Sequence, residues 1–272
     1  MKKFVTAKYQ IESEKIHTPF TVVMVSDLHN VVFGEKNQRL LEQIRRIKPD
    51  LLAVAGDLVL GKPGASLREP EEFLREGLKI APVFYAPGNH EQRMKLYPET
   101  YGRDYLSYEK RIQRMGVRLL KNRTERIRIK DQDIAVTGLE LPYEYYLKRK
   151  QKNLEKRELT RLLGKPEKYG FQILLAHTPK YGQAYLEWGG DLIFSGHYHG
   201  GMVRLPFLGG MISPDLRLFP RFCRGKFTRE DRYLIVGAGL GEHTIPVRLF
   251  NPRELVVVSC LPKKKQEKGT TK

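Results

Sequence analysis

Apolar residues along this chain recur in two rhythms, and the rhythms alternate. Residues 20–25 and 50–55 are nearly unbroken apolar runs, the first rich in β-branched side chains, as strands buried on both faces require. Between them Leu40, Leu41, Ile44 and Ile47 recur at helical spacing and predict a helix over 36–48. The same reading predicts helices over 70–80 and 101–115, with a short strand at 82–85 between them. Short, closely spaced strands then follow at 117–120, 126–129 and 134–139, expected to pair antiparallel. A charged helix is predicted over 154–163. Buried strands at 172–176 and 192–194 flank a helix near 181–187. The last quarter, from Met202, holds predicted strands at 233–236, 247–250 and 254–258.

Strands alternate with helices at the front and β-structure dominates the back. Two sheets face to face with helices outside satisfy that order, so the expected class is α/β, a two-sheet β-sandwich flanked by helices. One domain over 1–262 is expected. The stretch 141–169 is long and polar, carries Gly164 and Pro166, and reads as an insertion or cap. Residues 263–272 read as a disordered basic tail.

Composition changes this picture little. With 272 residues, 40% hydrophobic and 10% aromatic, the chain can fill one large core and is neither fibrous nor disordered. No run of 18 apolar residues predicts a transmembrane helix. Residues 1–10 are basic and lack the apolar stretch and cleavage site of a signal peptide, so a cytoplasmic location is expected. Cys223 and Cys260 are expected to be free thiols there.

Charge adds more. The net charge is +18, and the stretches 121–130, 148–161 and 263–272 together account for +13 of it. Such patches attract nucleic acid or acidic lipid; equally, they are a solvated basic surface. Both readings stay open at this point.

The chemistry lies in short polar strings, each following a predicted buried strand. These are Ser26-Asp27-Leu28-His29, Gly56-Asp57, Gly88-Asn89-His90-Glu91, Ala176-His177-Thr178-Pro179 and Gly196-His197-Tyr198-His199-Gly200-Gly201. They hold five of the seven histidines. Carboxyl ends of strands are where α/β folds place their sites. Asp27 and His29 are two apart, as are His197 and His199, so in extended backbone each pair points to one side. Imidazole mixed with carboxylate and amide oxygen suits Mn, Fe, Zn or Co better than Ca or Mg. His17 and His243 lack such neighbours and read as structural or surface residues.

In this order the five strings resemble the D-x-H, G-D, G-N-H-[DE], H and G-H-x-H blocks of calcineurin-like metallophosphoesterases, with no block missing. The resemblance implies that Asp27, His29 and His199 hold one metal ion, that Asn89, His177 and His197 hold a second, and that Asp57 bridges both. His90 resembles the family's catalytic histidine. The implied reaction is hydrolysis of a phosphate ester, with phosphodiesters favoured, by a hydroxide bridging the ions while a protonated His90 serves as general acid. Glu91 is expected to orient His90 or a metal-bound histidine. The alternatives are a nuclease, supported by the basic patches, and a non-catalytic binding module that needs no metal.

Residues 202–227 mix Leu205, Pro206, Phe207, Leu208, Phe219 and Phe222 with Arg204, Arg217, Arg221 and Arg224. They read either as a rim for an amphiphilic or lipid-linked substrate at a membrane surface, or as an ordinary packed loop. With Gly239-Leu240-Gly241 and Pro246-Val247-Arg248, this segment resembles a bacterial branch of the family in which many members carry an N-terminal anchor or export signal. The N-terminal residues here have neither pattern.

Overall fold

Unbroken apolar strands need cover on both faces, and the computed structural model shows how they obtain it. It describes residues 2–147, 152–168, 170–201, 204–205, 209–210, 220–242, 248 and 250–263. The elements in chain order are β1 (Val5–Ser13), β2 (Phe20–Val25), α1 (Gln38–Ile47), β3 (Leu51–Ala55), α2 (Arg68–Leu78), β4 (Val83–Ala86), α3 (Asn89–Leu96), α4 (Pro98–Tyr101), α5 (Asp104–Arg114), β5 (Arg118–Leu119), β6 (Arg123–Ile129), β7 (Gln132–Leu139), α6 (Lys156–Leu163), β8 (Phe171–Ala176), α7 (Gly182–Trp188), β9 (Leu192–Ser195), β10 (Arg204–Leu205), β11 (Gly209–Gly210), β12 (Gly225–Arg229), β13 (Arg232–Val236) and β14 (Glu254–Pro262).

Among the described residues two six-stranded sheets form. Their orders are β1-β14-β2-β3-β4-β5 and β12-β13-β9-β8-β7-β6, beside a small β10–β11 ladder. Strand alternation sorts the side chains. Phe20, Val22 and Met24 of β2 meet Ile173, Leu175 and Phe194 of the other sheet in a shared core. Val23 and Val25 turn the other way, under Leu40, Ile44 and Phe73 of α1 and α2. On the far side, Leu174 and Ile193 lie beneath Tyr185 and Trp188 of α7. The result is helix, sheet, sheet, helix. Among the described residues no helix is long and apolar enough to cross a membrane.

Three expectations change. Residues 117–120 do not join the antiparallel strands: β5 pairs parallel with β4, with Tyr85 opposite Leu119. The helices between β4 and β5 form a crossover, and a crossover returns a strand parallel to its start. Only β6 and β7 make the antiparallel hairpin. Secondly, β1 and β12 were not expected. Both are edge strands that carry charged residues, Lys8 and Glu12 in β1 and Lys226 and Arg229 in β12, which keep exposed edges from pairing elsewhere. Thirdly, the helix predicted over 101–115 runs over Asp104–Arg114 only, and Gly102, with φ 91°, parts it from an unexpected short helix at Pro98–Tyr101. The predicted strand at 247–250 lies outside the described residues except at 248 and 250. So do residues 264–272 of the predicted tail, His243, and most of the proposed rim, including Phe207, Leu208, Arg217 and Phe219.

Candidate metal centre

Each polar string leaves the carboxyl end of a strand. Asp27 follows β2, Asp57 follows β3, and Asn89 and His90 open α3 after β4. His177 follows β8, and His197 and His199 follow β9. The first three come from one sheet and the last two from the other, so the strings meet at one end of the sandwich. All eight residues come together there. Asp27, His29 and His199 offer ligand atoms within 4.8 Å of one another, and so do Asp57, His177 and His197. His29, Asp57 and His90 form a third such group, while Asn89 and His90 line the cavity above.

Convergence is achieved by a backbone other than the extended one expected. Asp27, His29, Asp57, His197 and His199 all have positive φ, between 46° and 64°. Such conformations are strained for residues with a Cβ and gather at functional sites. Close approach also requires glycine. A Cβ on Gly88 would run into the Asp57 carboxylate, and one on Gly196 into that of Asp27.

Asp57 stands at the centre. Its Oδ1 accepts the His90 backbone N–H at 2.8 Å. Its Oδ2 lies 3.9 Å from His29 Nε2, 3.8 Å from His90 Nε2 and 3.0 Å from His177 Nε2. Asp27 Oδ1 accepts the His197 N–H at 2.9 Å and lies 3.5 Å from His199 Nε2.

Hydrogen bonds fix the ring nitrogens. A carbonyl can only accept, so His177 Nδ1–H donates to Ala55 O at 2.8 Å, and His29 Nδ1–H points at Val59 O at 3.4 Å. Both rings therefore turn Nε2 towards the carboxylates. A bare Nε2 beside Asp57 would oppose two lone pairs, so a cation has to lie between them, either a proton or a metal ion. Without metal it is the proton. Burial opposes the charge on His177, but Asp57 and Asp27 hold the imidazole up to about 10, and His177 holds Asp57 well below the usual carboxylate range. Asn89 Oδ1 is buried with no hydrogen-bond donor, as an oxygen reserved for a ligand would be. The donor set thus fits a pair of metal ions.

His90 is held differently. A backbone N–H can only donate, so the Gly61 N–H, 2.9 Å away, makes His90 Nδ1 an acceptor. The proton of the neutral ring then sits on Nε2. Burial pushes His90 well below its usual range. Both effects disfavour the charged acid that the sequence reading expects.

Glu91 also departs from expectation. Its carboxylate accepts the backbone N–H groups of Asp57, Leu58, Val59 and Gly88 and the Tyr85 hydroxyl, at 2.6–3.2 Å. It shapes the loop that carries Asp57 instead of orienting a histidine ring. Burial and Asp57 push its carboxyl up to about 7, but both oxygens face donors, which favours the ionised form.

Sequence reasoning missed several residues. Arg248 Nη2 sits 3.1 Å from His199 Nδ1 and donates to Gly241 O at 2.6 Å. Asn251 holds Gly201 O at 2.8 Å. Tyr146, on a 3-10 turn at Tyr143–Tyr146, sets its ring 5.5 Å from that of His197. The metal centre opens into a cavity of about 550 Å³, whose lining includes Lys62, Arg93, Tyr143, Tyr146 and Leu147. The first residues of the 141–169 segment thus form one wall. Of these, only the bacterial-branch motif containing Arg248 left a trace in the sequence.

Comparisons with known proteins agree with this geometry. A family model described as calcineurin-like phosphoesterase matches residues 20–201. An uncharacterized metallophosphoesterase of Aquifex aeolicus (strain VF5) is 29% identical over 266 residues, covering 93% of this chain and 90% of that protein. A metallophosphoesterase relative from Caenorhabditis elegans is 25% identical over 257 residues, 88% of this chain, and the chain spans only 48% of that relative's length. A solved structure of a Thermus thermophilus protein has a similar fold, with TM-score 0.51 and 13% identity over 83% of this chain and 92% of that one.

Proposed function

The chain belongs to the calcineurin-like phosphoesterase family, and on that premise we propose that it is a two-metal hydrolase that cleaves phosphodiesters in preference to monoesters. One observation carries this reading. Oδ2 of Asp57 stands between the two ligand groups, within 4 Å of His29 on one side and His177 on the other. In this assignment Asp27, His29 and His199 hold one ion, Asn89, His177 and His197 hold the second, and Asp57 is shared. Manganese, iron or zinc suits these donors. When bound, such a pair polarises phosphoryl oxygens and supplies nucleophilic water near neutral pH.

The chain's own residues do the rest. Glu91 fixes the loop that presents Asp57. His90 donates a hydrogen bond from Nε2–H to the phosphoryl or leaving oxygen, where negative charge develops. The cavity volume is that of a small-molecule site. The basic stretch 121–130 is largely neutralised: Lys121 pairs with Glu109, Arg123 with Glu125, Arg126 with Glu167 and Arg128 with Asp133. We therefore favour a small ester over nucleic acid. We place the reaction in the cytoplasm, where the buried thiols of Cys223 and Cys260 stay reduced.

The test is turnover of bis-p-nitrophenyl phosphate and of p-nitrophenyl phosphate with added Mn, for the natural protein and Asp57→Asn, with metal content measured on both. Faster turnover of the diester, lost with Asp57→Asn, is expected. Activity that falls steeply with salt on DNA or RNA and is absent on small diesters would favour the nuclease. No turnover and no bound metal would leave only the binding module.

A further inference from the structure

Apolar side chains stand exposed where the cavity of the metal centre opens to solvent. α3 lays Asn89, His90 and Arg93 along the face that lines the cavity. At helical spacing that face continues to Leu96 and Tyr97, and Pro98 follows directly. Leu96 is 51% exposed and Tyr97 42%. Leu147, 38% exposed, lines the cavity just after the 3-10 turn. The Tyr97 ring packs edge-on against Tyr143 of that turn, 6.1 Å between centroids, and so joins the end of α3 to the cavity wall. Cations face the same opening. Lys2 and Lys62 line it from exposed positions, and among the described residues no carboxylate pairs with either. Two acidic residues beside them are engaged, Glu144 by Lys152 and Glu242 by Arg253. The lysines of this rim thus keep their charge unmatched, unlike the paired cations of 121–130.

Exposed apolar residues gathered at one place, rimmed by polar ones, mark a surface that is covered in use. The charges and the shape together select what covers it. A nucleic acid would match the lysines and leave Leu96 and Leu147 in water. A protein partner would need a continuous apolar face, and here the cavity mouth divides it. The surface of an anionic bilayer answers both features. Leucines enter the boundary between headgroups and acyl chains, tyrosine rings sit at headgroup level, and lysines on flexible stems reach the lipid phosphates. We propose that this rim docks the protein on an anionic lipid surface. Leu96, Tyr97 and Leu147 enter the headgroup layer, Lys2 and Lys62 lie against lipid phosphates, and the metal centre opens towards the bilayer. In the cytoplasm the inner leaflet supplies the negative charge. The docking holds whichever ester is cleaved, so it stands apart from the proposed reaction.

The experiment is co-sedimentation of the full chain with vesicles of phosphatidylcholine alone and of phosphatidylcholine mixed with phosphatidylglycerol, at low and high salt. The mixed vesicles should bind roughly tenfold or more tightly, and salt should weaken that binding. Leu96→Ser combined with Tyr97→Ser should lower the partition coefficient about 10- to 100-fold. Lys2→Gln combined with Lys62→Gln should lower it about fivefold for each charge removed. All four side chains are exposed, so the melting temperature of both double variants should match that of the natural protein. Binding to neither kind of vesicle overturns the proposal. So does binding to the mixed vesicles that both double variants retain in full, because other basic residues of the chain then carry it. If single-stranded RNA competes the protein off the vesicles while Leu96→Ser with Tyr97→Ser keeps full vesicle binding, the rim is a polyanion site and the membrane is not its occupant.

Discussion

The backbone N–H of Gly61 donates to Nδ1 of His90 over 2.9 Å, and this contact decides which proton His90 has to offer. The neutral ring donates from Nε2. Glutamine can place an amide N–H near that position, whereas alanine cannot. His90→Gln is therefore expected to keep kcat/KM for a phosphodiester within about tenfold of the natural protein, and His90→Ala to lose roughly 10²- to 10³-fold. Burial holds His90 low, so its charged form is scarce near neutral pH. Activity of the natural protein should not fall as pH rises through 6.5, the ordinary histidine value. A pH profile with an alkaline fall near 6.5 that disappears in His90→Gln would restore the charged-acid mechanism.

Metal uptake should release protons. In the metal-free protein Asp57 and Asp27 raise His177, so at neutral pH it carries a proton that an ion must displace. Apparent affinity should drop roughly tenfold per pH unit for each proton displaced. Calorimetric titration with Mn in two buffers of different ionisation enthalpy measures that number directly; zero released protons contradicts the pairing. The linked stability has a definite sign. A raised histidine contributes fully below 6.5 and its contribution is lost as pH rises towards about 10, while the lowered Asp57 contributes above 3.8 and is lost as pH falls through its folded value. Thermal unfolding in chelator should follow both limbs.

Glu91→Gln should cost stability as well as activity. The amide nitrogen would have to face at least one backbone N–H of Asp57, Leu58, Val59 or Gly88, leaving donors opposed. An unmatched buried donor costs about 1–3 kcal/mol. For a chain of this size the melting temperature should fall by roughly 3–10 °C. Differential scanning calorimetry reads this; an unchanged melting temperature means that the carboxylate is already protonated.

Gly88→Ala separates sterics from backbone strain. Gly88 has φ −101°, which alanine adopts freely, so the penalty is the collision of its Cβ with Asp57 and with the His177 ring. Mn affinity should fall at least tenfold or so, as for changes that disturb ligand orientation. Gly64→Ala is the contrast: nothing lies near its Cβ, and only its positive φ is strained. Binding isotherms for the two variants should differ clearly.

Much of this architecture follows from local pattern. Burial on both faces demands continuous apolar strands, so β2 is legible to the residue and β3, β8 and β9 nearly so. The polar strings of the candidate site were legible too, because each sits directly after such a strand and the carboxyl ends of parallel strands share one edge. Where burial is one-sided or absent the signal fails. β1 and β12 are edges rich in polar and charged residues that are never buried on both faces, and β5 is two residues long.

By itself, then, the sequence determined which residues follow which buried strand, and thereby the order of elements and the set of side chains delivered to one end of the sandwich. Tertiary structure decided how they are held. Gly61 lies 29 residues from His90, and Arg248 lies 49 from His199. Glu91 reaches 32 to 34 residues back to shape the Asp57 loop. Periodicity reports whether a side chain is buried, since burial repeats with the geometry of the local element. It carries no record of which distant N–H or guanidinium comes to rest beside a ring, because that depends on the crossing of chains that only the folded sheets bring together.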